Sequence, residues 1–343
     1  MTGQRPSGRR CGSCGERYAA SVLFCPTDGT PTGPEHQALE TDPHIGRIIQ
    51  GEFRVERLLG IGAMARVYLA QQLELERPVA LKILHRALAA DEAARARLRR
   101  EAMLGAQLRH PNLTEVLMLG SLEPSADGSN GELFLVMEYL DGFSLSAALL
   151  ASGGRLPLAR AAHIVLQLCA ALGEAHAAGV VHRDLKPENV MLVRRGADAD
   201  FAKLLDFGMA RAGRDPDFVT RDGAVLGTAR YIAPEGAQGG SVGPEADVYA
   251  LTTLLYQCLA GRTPFEGPSA ISILVQQVSA PPPDVRSFAT SRDVPSPLAE
   301  LIARNLDKDP KRRAPHASAL GAELSALLTA GLQVGTRSTG GAA

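Results

Sequence analysis

The run His182-Arg183-Asp184-Leu185-Lys186-Pro187-Glu188-Asn189 puts a carboxylate, a lysine and a carboxamide within six residues. A carboxylate accepts a hydroxyl proton, an ammonium neutralises a moving phosphoryl group, and an amide oxygen ligates a hard divalent cation. Together these supply most of what phosphoryl transfer requires. Farther on, Asp206-Phe207-Gly208 offers a second metal-binding carboxylate beside a flexible glycine, and Ala233-Pro234-Glu235 follows. Upstream, Gly60-Ile61-Gly62-Ala63-Met64-Ala65 lies between apolar runs, and such glycines let backbone amides approach phosphates closely. Val79-Ala80-Leu81-Lys82 ends an apolar run on a lysine. Taken singly, the glycine loop reads equally as a hairpin turn and the lysine as a solvated strand end.

A second chemical cluster opens the chain. Cys11 and Cys14 are two residues apart, and Cys25-Pro26-Thr27-Asp28-Gly29 makes a second turn with aspartate where a fourth cysteine would fall. Zinc accepts three thiolates and a carboxylate oxygen, so Cys11, Cys14, Cys25 and Asp28 are candidate ligands, with His36 as rival for the fourth place. The competing reading is a metal-free arm. Cys169 and Cys258 lie in apolar helical runs and read as small buried hydrophobes.

The elements that must position these groups change in texture along the chain. Residues 1–34 form the cysteine-bearing module, and the polar, proline-containing residues 35–52 read as a linker. From Phe53, short β-branched and apolar runs broken by glycines and by Arg77-Pro78 predict three antiparallel strands. Residues 91–108, rich in Ala and Arg behind an acidic pair, predict a helix ended by His110-Pro111-Asn112, and 133–140 reads as a strand. Beyond 140 the chain is mainly helical. Ile164, Leu168 and Leu172 mark one apolar face, and Val248, Leu251, Leu255 and Leu259 another. After 328 the apolar content falls, which predicts a flexible tail over 328–343. A strand-rich part before a helix-rich part implies two lobes, 53–140 and 141–327, an α+β architecture with the chemistry at their junction.

Composition narrows the partners. Of 343 residues 45% are hydrophobic, and 36 Lys and Arg face 37 Asp and Glu. Cores of ordinary size can form, and no overall field draws nucleic acid or an anionic membrane. No uninterrupted apolar run reaches the about 18–20 residues of a membrane span, and the first ten residues lack a signal peptide's apolar region, so the expected location is the cytoplasm.

In this order and spacing, the glycine loop, Val79-Ala80-Leu81-Lys82, HRDLKPEN, Asp206-Phe207-Gly208 and Ala233-Pro234-Glu235 resemble the signatures of bacterial, eukaryotic-like Ser/Thr protein kinases, over residues 53–327. The resemblance implies the two-lobed protein kinase fold, ATP with Mg²⁺ or Mn²⁺, and protein substrates bearing Ser or Thr acceptors. It implies that Asp184 is the catalytic base, that Lys186 meets the γ-phosphate, and that Thr228 bridges base and lysine. Asn189 and Asp206 would ligate Mg²⁺. Lys82 would contact the α- and β-phosphates while paired with Glu101. Leu59, Gly60, Gly62, Val67, Ala80 and Met191 would surround the nucleotide, with Met137 as gatekeeper and the backbone of Glu138 to Leu140 bonding the adenine edge.

By the same resemblance Asp247 anchors the catalytic loop, Glu235 pairs with Arg313, and Arg183 belongs to a cationic pocket for a phosphorylated activation loop. Thr220 aligns with an autophosphorylation position, and Asp222 stands at a second such position as a fixed charge. Two departures bear on rate. Ala65 replaces the third loop glycine, and Gly105, one turn after Glu101, stands where relatives often place a larger apolar residue, which predicts a loosely held helix. The N-terminal cysteines resemble a short zinc ribbon ahead of a kinase domain, a module that could bind a protein partner. The alternative function is a pseudokinase scaffold that binds nucleotide and partners without transfer.

Overall fold

The computed structural model describes residues 9–11, 17–18, 32–34, 42–62, 65–85, 88, 91–122, 131–205 and 224–338. Strands β1 (Arg9–Cys11), β2 (Arg17–Tyr18) and β3 (Thr32–Pro34) form an antiparallel sheet in the order β2-β1-β3. Next come β4 (Ile48–Ile49), β5 (Phe53–Ile61), β6 (Ala65–Gln72), β7 (Arg77–Leu84), α1 (Glu92–Gln107), β8 (Val116–Ser121) and β9 (Leu133–Glu138). The following elements are β10 (Gly142–Ser144), α2 (Leu145–Ala151), α3 (Leu158–Ala177), β11 (Val190–Arg195) and β12 (Asp198–Leu204). Helices α4 (Ala224–Ala229), α5 (Pro234–Ala237), α6 (Pro244–Ala260), α7 (Ala270–Ser279), α8 (Ser296–Asn305) and α9 (Ala317–Ser338) follow. Contacts divide the chain into two units, 1–109 with 114–141, and 110–113 with 142–343.

In the first unit β4 to β9 make one sheet of order β4-β5-β6-β7-β9-β8. Strand alternation gives it two apolar faces. Phe53, Val55, Tyr68, Leu81, Ile83, Phe134 and Val136 fill one. Ala80, Leu84, Leu133, Leu135 and Met137 fill the other, where Ala94, Leu98 and Ala102 of α1 cover them at four-residue spacing. Each large side chain so buried contributes about 1.5–3 kcal/mol by leaving water. The helix starts where Asp91 caps it, its carboxylate accepting the N–H groups of Ala93 and Ala94.

Gly105 corrects the expectation of a loosely held helix. A Cβ there would lie 2.3 Å from Val116 Cγ2, so the side chain of β8 already occupies the space that a larger residue would fill. The sequence shows the missing side chain, while the one that replaces it arrives from another element.

The expected linker over 35–52 is also corrected in its second half. Ile48 and Ile49 pair with Arg54 and Phe53. Ahead of them Asp42 accepts the hydroxyl of buried Tyr68 at 3.0 Å, an Arg66 N–H at 3.1 Å and the backbone N–H of His44 at 3.0 Å. Polar composition suggested a spacer because the partners that satisfy those groups lie about 25 residues away.

The second unit is built on α3 and α6. In α3 Ile164, Leu168, Cys169 and Leu172 are buried, and in α6 Val248, Leu251, Leu255, Cys258 and Leu259 are. Although α3 is long and apolar enough to cross a membrane, half of that apolar window is buried in the protein. Burial pushes the Cys169 and Cys258 thiols up to about 12, which makes them poor nucleophiles.

Residues 110–113 belong with this unit because Asn112 donates to Gln167 Oε1 and to the Ala202 carbonyl, at 2.9 and 2.7 Å. Over 328–338 the expected tail is helical, since α9 runs on to Ser338, and 339–343 lie outside the described residues. Once the first turns are fixed by packing, each added residue costs little, so weak helix formers extend an existing helix.

Candidate active site

In the first unit the strand register lines up the residues expected to meet nucleotide. Val67 lies opposite Lys82 and Gly60 opposite Val67. Lys82 is opposite Leu135 and Ala80 opposite Met137. Directly paired residues share a face, so Val67, Ala80, Lys82 and Met137 stand on the side that α1 covers. Lys82 is 5% exposed, too buried to be the solvated strand end of the alternative reading.

Glu101 is on α1, three residues past buried Leu98, but its side chain lies outside the described part of the structure. At the loop's base Gly62 donates its N–H to the Ala65 carbonyl, and a His85 ring nitrogen meets the Gly62 carbonyl at 2.8 Å. Ala65 is buried as the first residue of β6. Leu59 and Gly60 belong to β5, and Glu138 closes β9 with its carboxylate on the Glu115 N–H. Leu140 follows just before the chain passes into the second unit.

The second unit assembles the catalytic loop around a buried carboxylate. Asp247, 1% exposed, accepts the His182 N–H at 2.7 Å and the Arg183 N–H at 2.9 Å. A third contact comes from His176 Nε2 at 2.9 Å. His176 Nδ1 accepts the Ala317 N–H, so Nε2 carries the proton and donates to Asp247. His182 follows the same logic, with Nδ1 accepting from Asp184 N–H and Nε2 donating to the Leu205 carbonyl. Between them Arg183 adopts φ +67°, a strained conformation for a residue with a side chain.

Past it Asp184 and Lys186 are partly exposed, while Leu185 between them is buried. Lys186 Nζ lies 3.0 Å from Asp184 Oδ2 and 3.3 Å from Thr228 Oγ1. Asn189 Nδ2 donates to the Asp184 carbonyl at 2.7 Å and to its carboxylate at 3.0 Å. Both Asp184 and Lys186 side chains retain 22% exposure, so the group is open to a substrate. Asn189 sits on a short 3₁₀ turn, Pro187–Asn189, that leads into β11 and Met191. Its Nδ2 is committed to Asp184, which leaves Oδ1 for a cation. Asp206, Thr220 and Asp222 lie outside the described residues.

Arg313 forks onto both carboxylate oxygens of Glu235 at 2.8 and 2.9 Å and also donates to the backbone of Asp307, Lys308 and Glu245. Two groups had no signal in the sequence. His176 is the second-last residue of apolar α3 and looks in the sequence like any polar residue at a helix end. Gln277, 1% exposed on α7, donates to the Ala229 and Arg230 carbonyls just past Thr228 and gives no hint at all locally.

A family model described as the protein kinase domain matches residues 53–324. The chain belongs to the protein kinase domain family. This kinase domain is 40% identical over 292 residues to serine/threonine-protein kinase pkn3 of Myxococcus xanthus, covering 84% of this chain and 52% of that protein. It is 38% identical over 289 residues to PknB of Mycobacterium leprae, covering 83% and 44%. With Pkn1 of Myxococcus xanthus, 36% identity extends over 97% of this chain and 47% of that protein. The chain therefore spans about half the length of these curated relatives. Among solved structures, the PknI kinase domain of Mycobacterium tuberculosis superposes with a TM-score of 0.62 at 29% identity, over 82% of this chain and 98% of that one. The fold is that of a protein kinase, with a β-rich first lobe and a helical second.

Proposed function

We propose that this protein transfers the γ-phosphate of ATP to Ser and Thr hydroxyls of proteins. The observation that carries this reading is the Asp184, Lys186, Thr228 and Asn189 group, held open to solvent on a backbone that Asp247 fixes. Asp184 orients the acceptor hydroxyl and takes its proton. Lys186 exchanges the Asp184 carboxylate for the γ-phosphate and compensates its charge, with Thr228 steadying the ammonium. Lys82 holds the α- and β-phosphates and pairs with Glu101. Gly60 and Gly62 offer amides to the phosphates, while Leu59, Val67, Ala80, Met137 and Met191 meet the adenine and Glu138 to Leu140 bond its edge. Asn189 Oδ1 and Asp206 would hold Mg²⁺ or Mn²⁺, which when bound would supply positive charge against the phosphates.

Phosphorylation of Thr220 would tune this activity through Arg183, with Asp222 supplying permanent charge. The reaction belongs in the cytoplasm, where ATP is abundant. Phosphoamino-acid analysis after incubation with labelled ATP and a generic basic protein tests the acceptor class. Label on phosphoserine and phosphothreonine is expected, and label on phosphotyrosine alone would overturn it.

For the N-terminal module the reading is a zinc ribbon with Cys11, Cys14, Cys25 and Asp28 as ligands, serving a protein partner. The sheet β2-β1-β3 supports it, because Cys11 ends β1 opposite Thr32 and so few residues rarely hold a sheet without a metal or disulfide. Cys14, Cys25, Asp28 and His36 lie outside the described residues. Metal analysis of the full chain, beside Asp28→Ala and His36→Ala, should find zinc lost in the first variant and kept in the second. Zinc absent from the wild type would sink the ribbon.

A further inference from the structure

Past Thr228 the chain forms a platform whose underside is fixed in unusual detail. Ala229 and Tyr231 are buried, at 0% and 7% exposure. The Tyr231 hydroxyl donates to Gln257 Oε1 at 2.5 Å, and the Tyr231 N–H closes a turn onto the Thr228 carbonyl at 3.1 Å. Gln277 holds the Ala229 and Arg230 carbonyls at 3.2 and 2.8 Å, and its own Oε1 receives the hydroxyl of buried Tyr249. With Ala229 and Tyr231 packed inward, Thr228 and Arg230 are the two partly exposed side chains of the turn. Thr228 is already bound to the lysine that touches the base. Arg230 therefore stands two residues past Thr228, whose hydroxyl meets Lys186, on a backbone held by Gln277.

Among the described residues no carboxylate forms an ion pair with Arg230. Its Nε is shut off from water and has no hydrogen-bond partner among the described residues. Glu188, exposed on the catalytic loop, bears electrostatically on Tyr231 as Arg230 does, yet the two do not form an ion pair. Other cations of this region are spent internally, Lys186 on Asp184 and Arg313 on Glu235. A guanidinium with one donor already dehydrated is poised for a planar oxyanion that can take two parallel N–H bonds.

We propose that Arg230 is a specificity-determining residue that selects substrates carrying an acidic side chain beside the acceptor Ser or Thr. The inference rests on the kinase reading above. Aspartate, glutamate and a previously phosphorylated serine share the required chemistry. A charge-assisted pair at a partly exposed site changes kcat/KM by about tenfold.

The test uses the full chain and peptides in which one residue is walked from three places before to three places after a threonine. Glu, Gln, Lys and phosphoserine occupy that place in turn, and the readout is the ratio of kcat/KM between Glu and Gln peptides, which cancels changes in overall rate. Wild type should favour Glu by about tenfold at one place. Arg230→Gln should bring the ratio to about one, Arg230→Lys should keep part of it, and Arg230→Glu should favour Lys at that same place. A higher rate for phosphoserine than for Glu there identifies primed substrates as the preferred source of the charge. A wild type that transfers phosphate without favouring Glu or phosphoserine anywhere, or an acidic preference that survives in Arg230→Gln, overturns this inference alone. No transfer to any peptide removes the kinase reading and this inference with it.

Discussion

Asp247 Oδ1 accepts the N–H of Arg183 at 2.9 Å, and Arg183 holds φ +67° immediately before the proposed base Asp184. Left-handed backbone at a residue with a side chain costs about 1–3 kcal/mol, so the loop keeps this shape only because buried contacts impose it. Asp247→Ala leaves two N–H groups and His176 Nε2 without their acceptor. Denaturant unfolding should show a loss of about 3 kcal/mol or more. Phosphate transfer should fall mainly in kcat, since the nucleotide contacts assigned to the first unit are untouched. A variant as active and as stable as wild type would contradict the anchoring role.

Gly105→Ala separates two opposed effects. Alanine favours a helix interior by about 1 kcal/mol over glycine. The added methyl would meet Val116 Cγ2 at 2.3 Å, and overpacking of that kind costs about 1–3 kcal/mol. The variant should melt below wild type, and adding Val116→Ala should recover part of the loss. A higher melting temperature for Gly105→Ala alone would show that the contact yields freely.

The strap formed by residues 42–49 should be sensitive to acid. Burial lowers the His44 pKa from 6.5, against the opposing pull of Glu132 and Asp42, while Arg47 and Arg66 lower it further. The unfolded chain then binds more protons than the folded one just below pH 6.5, so stability is full above that value and declines as pH falls beneath it. His44→Phe should flatten that decline in melting curves between acid and neutral pH. Asp42→Ala, which strands the Tyr68 hydroxyl, should cost about 1–3 kcal/mol at pH 7.

Lys308 predicts a slope at the other end of the scale. Burial and then Arg313 depress its pKa from 10.5 to about 8, with its ammonium over the Phe265 ring at 4.2 Å. Between those values the unfolded chain holds the extra proton, so stability rises with pH across the window. Lys308→Met should raise stability at neutral pH and remove that rise, as followed by urea unfolding at several pH values. An unchanged slope would show that Lys308 is freely solvated.

The catalytic loop was legible because its chemistry is local. Asp184, Lys186 and Asn189 are close enough in sequence for their types to suggest one shared site, and their side chains do meet. Strands β5 to β7 and helix α1 were legible from alternation and capping for the same reason. What stayed hidden depends on distant partners. Asp42 finds Tyr68 26 residues on, and Gln277 reaches Arg230 across 47. Nothing near either residue marks it as more than a polar surface side chain. Gly105 misled for a related cause, since a gap in one element is invisible as a fit until Val116 is placed.

We propose that Asp184 serves phosphate transfer from ATP to protein hydroxyls. The direct measurement is transfer of labelled γ-phosphate to a generic protein substrate and to the kinase itself, with Mg²⁺ and again with Mn²⁺, for wild type and Asp184→Asn at matched melting temperature. Wild type should incorporate label, and Asp184→Asn should lose at least about a hundredfold, the scale of removing a general base. Nucleotide binding without transfer by the wild type, or equal transfer by both proteins, would contradict it.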